Sequence, residues 1–108
     1  MTIYETLTIE EKRELIKNHP HRIKYFSNPE CELALLAVQT NPNVLCLIRN
    51  QTEKVCLEAV KRNYCTVAYV RELTEKIVKA AMENDIDAKY YLPEDWYQKV
   101  KWEIPLAQ

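Results

Sequence analysis

Thr52-Glu53-Lys54-Val55 is answered 22 residues later by Thr74-Glu75-Lys76-Ile77, Ala59-Val60 by Ala81-Met82, and Tyr69-Val70 by Tyr91-Leu92. This register decides the fold. Carried backward, it sets Ala37-Val38 and Leu15-Ile16 in the Ala59-Val60 columns and gathers His19, Asn41, Asn63 and Asp85 into one column. The chain then divides into four aligned units, 7–28, 29–50, 51–72 and 73–94, and the start of a fifth at Asp95. A fixed period of this length marks repeat architecture, because a single unit has no way to hide its apolar face without a neighbour.

Each unit opens with helical periodicity. Between Glu53 and Asn63, the residues Val55, Cys56, Ala59 and Val60 fall at i, i+1, i+4 and i+5, which is one inward stripe of an amphipathic helix. Start signals recur in frame: Thr8 and Glu11 have the spacing of a capping box, Asn50 stands three residues before Glu53, Asn28 precedes Pro29, and Thr74 is placed to cap the fourth unit. The column of His19, Asn41, Asn63 and Asp85 reads as the end of that helix, with Asn and Asp expected to adopt left-handed backbone in place of glycine. Pro20 and Pro42 follow it directly. A shorter apolar segment comes next in every unit, at Ile23 to Phe26, Leu45 to Ile48, Val67 to Val70 and Tyr90 to Leu92. Its length suits one or two helical turns, although Val67 to Val70 taken alone fits a strand equally well.

The ends of the array follow the same logic, since terminal units must turn a polar face outward. Glu11 and Lys12 occupy columns that hold Leu33 and Ala34, Val55 and Cys56, or Ile77 and Val78 in the inner units, and Lys89 replaces Ile23, Leu45 and Val67. Pro93 is placed to open a last helix through Trp96, Val100 and Trp102, stopped by Pro105. The expected fold class is therefore all-α: a small solenoid of about four 22-residue helix-turn-helix repeats with a C-terminal capping segment over 95–108, forming one domain from 1 to 108.

Composition agrees with a folded chain. Of 108 residues, 47% are apolar and 29% charged, well away from the disordered class. The chain has no glycine, which excludes a Walker loop and a dinucleotide fingerprint, both of which need backbone to approach phosphate closely. No apolar run approaches the roughly 20 residues that cross a bilayer, and Met1-Thr2-Ile3-Tyr4-Glu5 has neither the basic nor the apolar part of a secretion signal. No membrane association and a cytoplasmic location are the expectations. Cys31, Cys46, Cys56 and Cys65 are 15, 10 and 9 residues apart, without a Cys-x-x-Cys pair, so they read as small buried apolar side chains.

At Val55-Cys-Leu-Glu-Ala-Val-Lys-Arg-Asn63, followed by Val67-Ala-Tyr-Val70, the chain resembles short tandem helical repeats found in many viral and bacterial proteins, a family of unknown function. That family's pattern is an acidic start, an apolar helix containing Ala-Val-Lys-x-Asn, and a second short helix carrying Leu and Tyr. The resemblance covers residues 29 to 94, and it weakens in the first unit, which lacks the Ala-Val pair. The unit is slightly shorter than the family's common form, and the glycine that often follows the Asn is missing. The resemblance implies a fold and no activity. Because small phage proteins that disable host enzymes are often built on such scaffolds, it also implies a phage- or mobile-element-encoded inhibitor of a host or defence protein.

The residues supply little for catalysis, which needs a nucleophile, base or metal in fixed geometry. His19 and His21 flank Pro20 with no third ligand indicated, so a solvated turn is the simpler reading. Glu10, Glu11, Glu53, Glu75, Glu94 and Asp95 lie at expected helix starts, where negative charge favours the helix dipole. The expectation is a non-enzymatic chain with no metal and no cofactor.

Binding is the class that remains. Tyr25, Leu47, Tyr69 and Tyr91 share one column, with Arg49 and Arg71 two residues further along their segments, and Tyr and Arg often dominate interfaces. With Lys61 and Arg62 they compose a candidate surface for another protein, one with an acidic face; the plain alternative is that the tyrosines pack one unit on the next. Nucleic acid is the second candidate partner, through Lys12, Arg13, Lys17, Arg22 and Lys24, helped by His19 and His21. The acidic far end, with Glu83, Asp85, Asp87, Glu94 and Asp95, and a formal net charge of −1 oppose it. A basic head and an acidic tail also suit head-to-tail contact between molecules. The core of so small an array is marginal, since ordering costs about 1.5 kcal/mol per residue against similar gains from burial, which leaves a place for a homodimer.

Overall fold

Four ten-residue α-helices begin 22 residues apart: α1 (Ile9–Asn18), α2 (Cys31–Thr40), α3 (Glu53–Arg62) and α4 (Glu75–Asn84). The computed structural model describes residues 6–26 and 31–100. Each of the four helices is followed by a six-residue 3-10 helix, at Pro20–Tyr25, Pro42–Leu47, Tyr64–Tyr69 and Ile86–Tyr91, and α5 (Glu94–Val100) comes last. Among the described residues the regular structure is helical and includes no strand. Val67 to Val70, which alone fits a strand, falls at the end of the third 3-10 helix instead.

The helix starts are fixed by side-chain caps. The Thr8 hydroxyl accepts the Glu11 N–H at 3.2 Å and the Glu11 carboxylate accepts the Thr8 N–H at 2.8 Å, completing the capping box. Thr74 caps α4 in the expected way, accepting the Ile77 N–H at 3.3 Å. The third unit differs from expectation: Thr52, not Asn50, is the N-cap of α3, and its hydroxyl accepts the Val55 N–H at 3.2 Å. Threonine at this position keeps the same column as Thr74, so register prevails over the Asn50–Glu53 spacing. Asn28 and Pro29 lie outside the described residues.

The turn column is built otherwise than the sequence reading expects. Asn41, Asn63 and Asp85 are extended, with φ from −149° to −161°, His19 has φ −141° with a smaller ψ of 71°, and among the described residues no φ is positive. Each of these residues joins two helices at once. The Asn63 N–H donates to the Ala59 carbonyl at 2.9 Å and ends α3, while the Asn63 carbonyl accepts the Thr66 N–H at 3.0 Å and starts the next 3-10 helix. Its side-chain oxygen accepts the Cys65 N–H at 3.1 Å, and Asn41 and Asp85 cap Asn43 and Asp87 alike at 3.1 and 2.9 Å. The short polar side chain therefore serves as an N-cap for the second helix, and no left-handed residue is needed. Pro20 and Pro42 take the first helical position behind it, where the absent N–H costs nothing.

Neighbouring elements pack in order. α1 lies on α2, α2 on α3, α3 on α4 and α4 on α5, and the 3-10 helices pack on one another in the same sequence. The core is sealed between the α-helices and the 3-10 helices. Leu33, Val55 and Ile77 are buried, as are Ala37, Ala59 and Ala81 and the residues Val38, Val60 and Met82 beside them. From the shorter segments come Ile23, Leu45, Val67 and Ala88. In α1 only Ile16 is buried, and Glu11 stays exposed in the Leu33 column, so the first helix closes its end of the core with a polar face. At the other end Lys89 is half-buried where Ile23, Leu45 and Val67 are buried, with its ammonium 5.3 Å from the Tyr90 ring centre and 5.5 Å from that of Tyr97. Of the expected capping segment over 95–108, α5 accounts for the part to Val100, with Trp96 and Tyr97 packed against the core; Trp102 and Pro105 lie outside the described residues.

Candidate functional site

The two middle 3-10 helices bury their third and fourth residues, and the first and last bury one of the two, Ile23 and Ala88, so that their last residues point outward. Tyr25, Tyr69 and Tyr91 close three of these helices and remain 46%, 42% and 45% exposed, while Leu47, in the same column, is half-buried. A ring that served only to weld one unit to the next would lose most of its surface, and these three keep nearly half. Tyr90 stands beside them at 74%. An apolar cavity of about 560 Å3 opens next to this row, lined by Val67, Val70, Leu73, Tyr90, Tyr91 and Leu92 among others.

Two of the tyrosines have defined neighbours. The Tyr91 ring meets Tyr64 edge to face, with centroids 6.0 Å apart and planes at 68°. A hydrogen bond with Cys65 holds the Tyr91 phenol above its ordinary pKa of 10.0, assisted by the Cys65 charge and by burial. Tyr64 is raised as well, first by desolvation and then by Asp85. Lys24 lies over the Tyr25 ring at 5.1 Å from its centroid. Tyr91 thus joins the fourth unit to the third while keeping nearly half of its surface exposed.

The basic residues of the candidate surface occupy different places. Arg49 is exposed in the segment after the second 3-10 helix. Arg71 is exposed in part, but its guanidinium donates to the Ile48 carbonyl, to the Arg49 carbonyl at 2.9 Å and to the Cys46 carbonyl at 3.4 Å. It ties the third unit to the second. Gln51, which the sequence reading passes over, completes this joint: its amide donates to the Leu45 and Tyr69 carbonyls, both at 3.0 Å, and its oxygen accepts the Arg71 N–H at 2.9 Å. Lys61 and Arg62 belong to the last turn of α3, on an element separate from the tyrosine row, and Arg62 is paired with Glu58 at 3.2 Å.

The residues of the nucleic-acid alternative are also dispersed. Arg13 is paired with Glu32 of α2, Lys24 lies on Tyr25, Lys12 and Arg22 are half-buried, and Lys17 is exposed. His19 and His21 meet edge to face at 6.1 Å. Among the described residues no group of three or more His, Cys, Asp or Glu is gathered closely enough to hold a metal ion, and no helix is long and apolar enough to cross a membrane.

The cysteines correct the sequence reading. Cys56 is buried, Cys65 is half-buried, and Cys31 and Cys46 are exposed. Cys31 sits at the first position of α2, where its sister residues include Glu53 and Glu75, and Cys46 shares a column with Lys24, Ala68 and Tyr90, all of them outward. Burial pushes the Cys56 thiol up from 9.0 to about 11, against a smaller opposing effect of Arg71, so this thiol is inert as a nucleophile.

No family model, no curated protein and no solved structure matches the chain.

Proposed function

We propose that this chain is a non-enzymatic protein-binding module, a small solenoid of about four 22-residue helix-turn-helix repeats with a C-terminal cap, acting stoichiometrically as an adaptor or inhibitor. The observation that carries the reading is the row of Tyr25, Tyr69 and Tyr91, each nearly half exposed at the same position of its unit. Repeats of this kind present one residue type at fixed intervals along a surface, which suits an extended partner. Arg49 extends the row with a long cation, and Lys61 and Arg62 add positive charge nearby in sequence, so the partner's contact surface is acidic. Arg71 supports the row by fixing the backbone before it.

The test is capture of the partner from the source cell by the tagged full chain, compared with the Tyr69→Ala and Tyr25→Ala variants and with Arg49→Ala. Loss of the captured protein in the tyrosine variants, with helix content unchanged by circular dichroism, is the expected result; a truncated hot-spot aromatic costs about 2 kcal/mol or more of binding. Equal capture by all variants would reject the surface.

A further inference from the structure

The outer face of the α-helices, on the far side of the core from the tyrosine row, carries its own pattern. In α2, α3 and α4 the buried positions are the third, fourth, seventh and eighth, whereas in α1 only the eighth, Ile16, is buried; in all four helices the second and ninth positions are exposed and the fifth is half-buried. Along the second position the residues are Glu10, Glu32, Lys54 and Lys76: two negative charges, then two positive. The ninth position begins with Lys17 and ends with Glu83, the reverse order. Between them, at the middle of the face, are the half-buried Leu35, Leu36 and Leu57. The open groove beside α1 and α2, about 730 Å3, is floored by Leu35 and Leu36 and edged by Glu10, Lys17, Glu32 and Lys54.

From this pattern we infer that the α-helical face binds a second copy of the same chain, forming a two-fold dimer whose axis lies in the interface, parallel to the helices and between α2 and α3. Such an axis sets α1 against α4 and α2 against α3 of the second copy while keeping each helical position opposite itself. Glu10 then faces Lys76, Glu32 faces Lys54 and Lys17 faces Glu83, and each contact occurs twice by symmetry. Leu35 meets Leu57 at the centre, where both lose their remaining water contact. Arg13 faces Lys79, the one pair of like sign, and each brings its own carboxylate, Glu32 and Glu75. Turning the axis by a quarter, along the row of helices, would keep two attractions, Glu10 with Lys17 and Lys76 with Glu83, but would set Lys54 against Lys61 and leave Glu32 opposite the neutral Gln39. The sequence of charges therefore selects one arrangement and pairs it with itself.

Five of the six charges are available for this, and the sixth, Glu32, is shared with Arg13. Among the described residues Glu10, Lys17, Lys54, Lys76 and Glu83 form no ion pair within the chain. Dimerisation through the helices leaves the 3-10 helices outward on both copies, so it neither requires nor blocks a partner on the tyrosine row.

Sedimentation velocity of the full chain across a range of concentrations tests the inference. The expected result is a monomer–dimer equilibrium that shifts toward monomer as salt rises. Lys76→Glu weakens it about tenfold, because one attraction becomes a repulsion at two symmetric places. It leaves the thermal midpoint unlowered, since negative charge in the first turn of α4 favours the helix dipole. Glu10→Lys weakens the dimer similarly, and the doubly substituted chain, or an equimolar mixture of the two single variants, restores it. Cys31, at the edge of the groove, becomes slower to label as concentration rises, whereas Cys46, on the opposite layer, does not. A monomer at every concentration, a dimer indifferent to Lys76→Glu, or a double variant that fails to recover would each overturn the proposal.

Discussion

Cys56 shows at the residue scale how burial sets chemistry. Its thiol binds its proton more tightly in the folded chain, near 11, than at its ordinary value of 9.0. A group whose pKa is raised by folding stabilises the fold fully below its unfolded value and loses that contribution as pH climbs through the folded one. The contribution of this thiol to stability should therefore be level up to pH 9 and fall between about 9 and 11. Tyr64 and Tyr91, also raised above 10.0, continue the decline at higher pH. Urea midpoints measured at pH 8 and pH 11 check this, and Cys56→Ala should flatten the first part of the fall. The four thiols should separate as well. Against a thiol reagent in dilute solution, Cys31 and Cys46 react first, Cys65 later, and Cys56 only when the chain unfolds. Rapid reaction of all four in the native protein would contradict the assigned burial. The columns carry this ordering one by one: the sister residues of Cys31 and Cys46 include Glu and Lys, and those of Cys56 include Ala34 and Val78.

At the scale of the element, the joint between helices decides the unit. Asn63 ends α3 with its N–H, starts the next helix with its carbonyl and caps it with its side chain, which also reaches Asn43 at 3.2 Å. Asn63→Ala should cost about 1 kcal/mol, the usual worth of an N-cap, and Asn63→Gly only a few tenths, as glycine is tolerated at such caps. Were a left-handed residue present, glycine would be stabilising; thermal melts of the two variants distinguish the geometries. The sequence pointed to both, because Asn and Asp favour left-handed turns and N-caps alike. The tie is broken by Pro20 and Pro42, which follow at once as first residues of a new helix.

Arg71 makes a similar point about what periodicity leaves out. It shares its column with Arg49, so register groups the two as one surface, yet only Arg71 has Gln51 beside it to complete a carbonyl-binding joint. No counterpart of Gln51 exists one unit on, where Leu73 stands, and a motif used once has no periodic signature. Arg71→Ala should lower stability by about 1–3 kcal/mol, because the carbonyls of residues 46, 48 and 49 lose a charged donor. Arg49→Ala should leave stability within about 0.5 kcal/mol, as surface substitutions do. Chemical denaturation of the two variants gives both numbers.

Over the whole molecule, the legible part was the register of apolar residues: Leu33, Val55 and Ile77 are all sealed in the core, as their shared column requires. The exposure of the tyrosine row was not legible, because an aromatic at a fixed repeat position suits a joint and a surface alike, and Tyr91 has both characters, meeting Tyr64 of the preceding unit while staying 45% exposed. The proposed solenoid requires that the units be interchangeable members of a stack in which each rests on its neighbours. A stack of this kind gains stability with every added unit, since each brings its own folding energy and one more interface. The direct measurement is to insert a second copy of residues 51–72 after residue 72 and follow unfolding by circular dichroism. The expected result is a chain with proportionately more helix, a single cooperative transition and a midpoint at least as high as that of the original. Loss of cooperative unfolding, or a lower midpoint with no gain in helix, would contradict it.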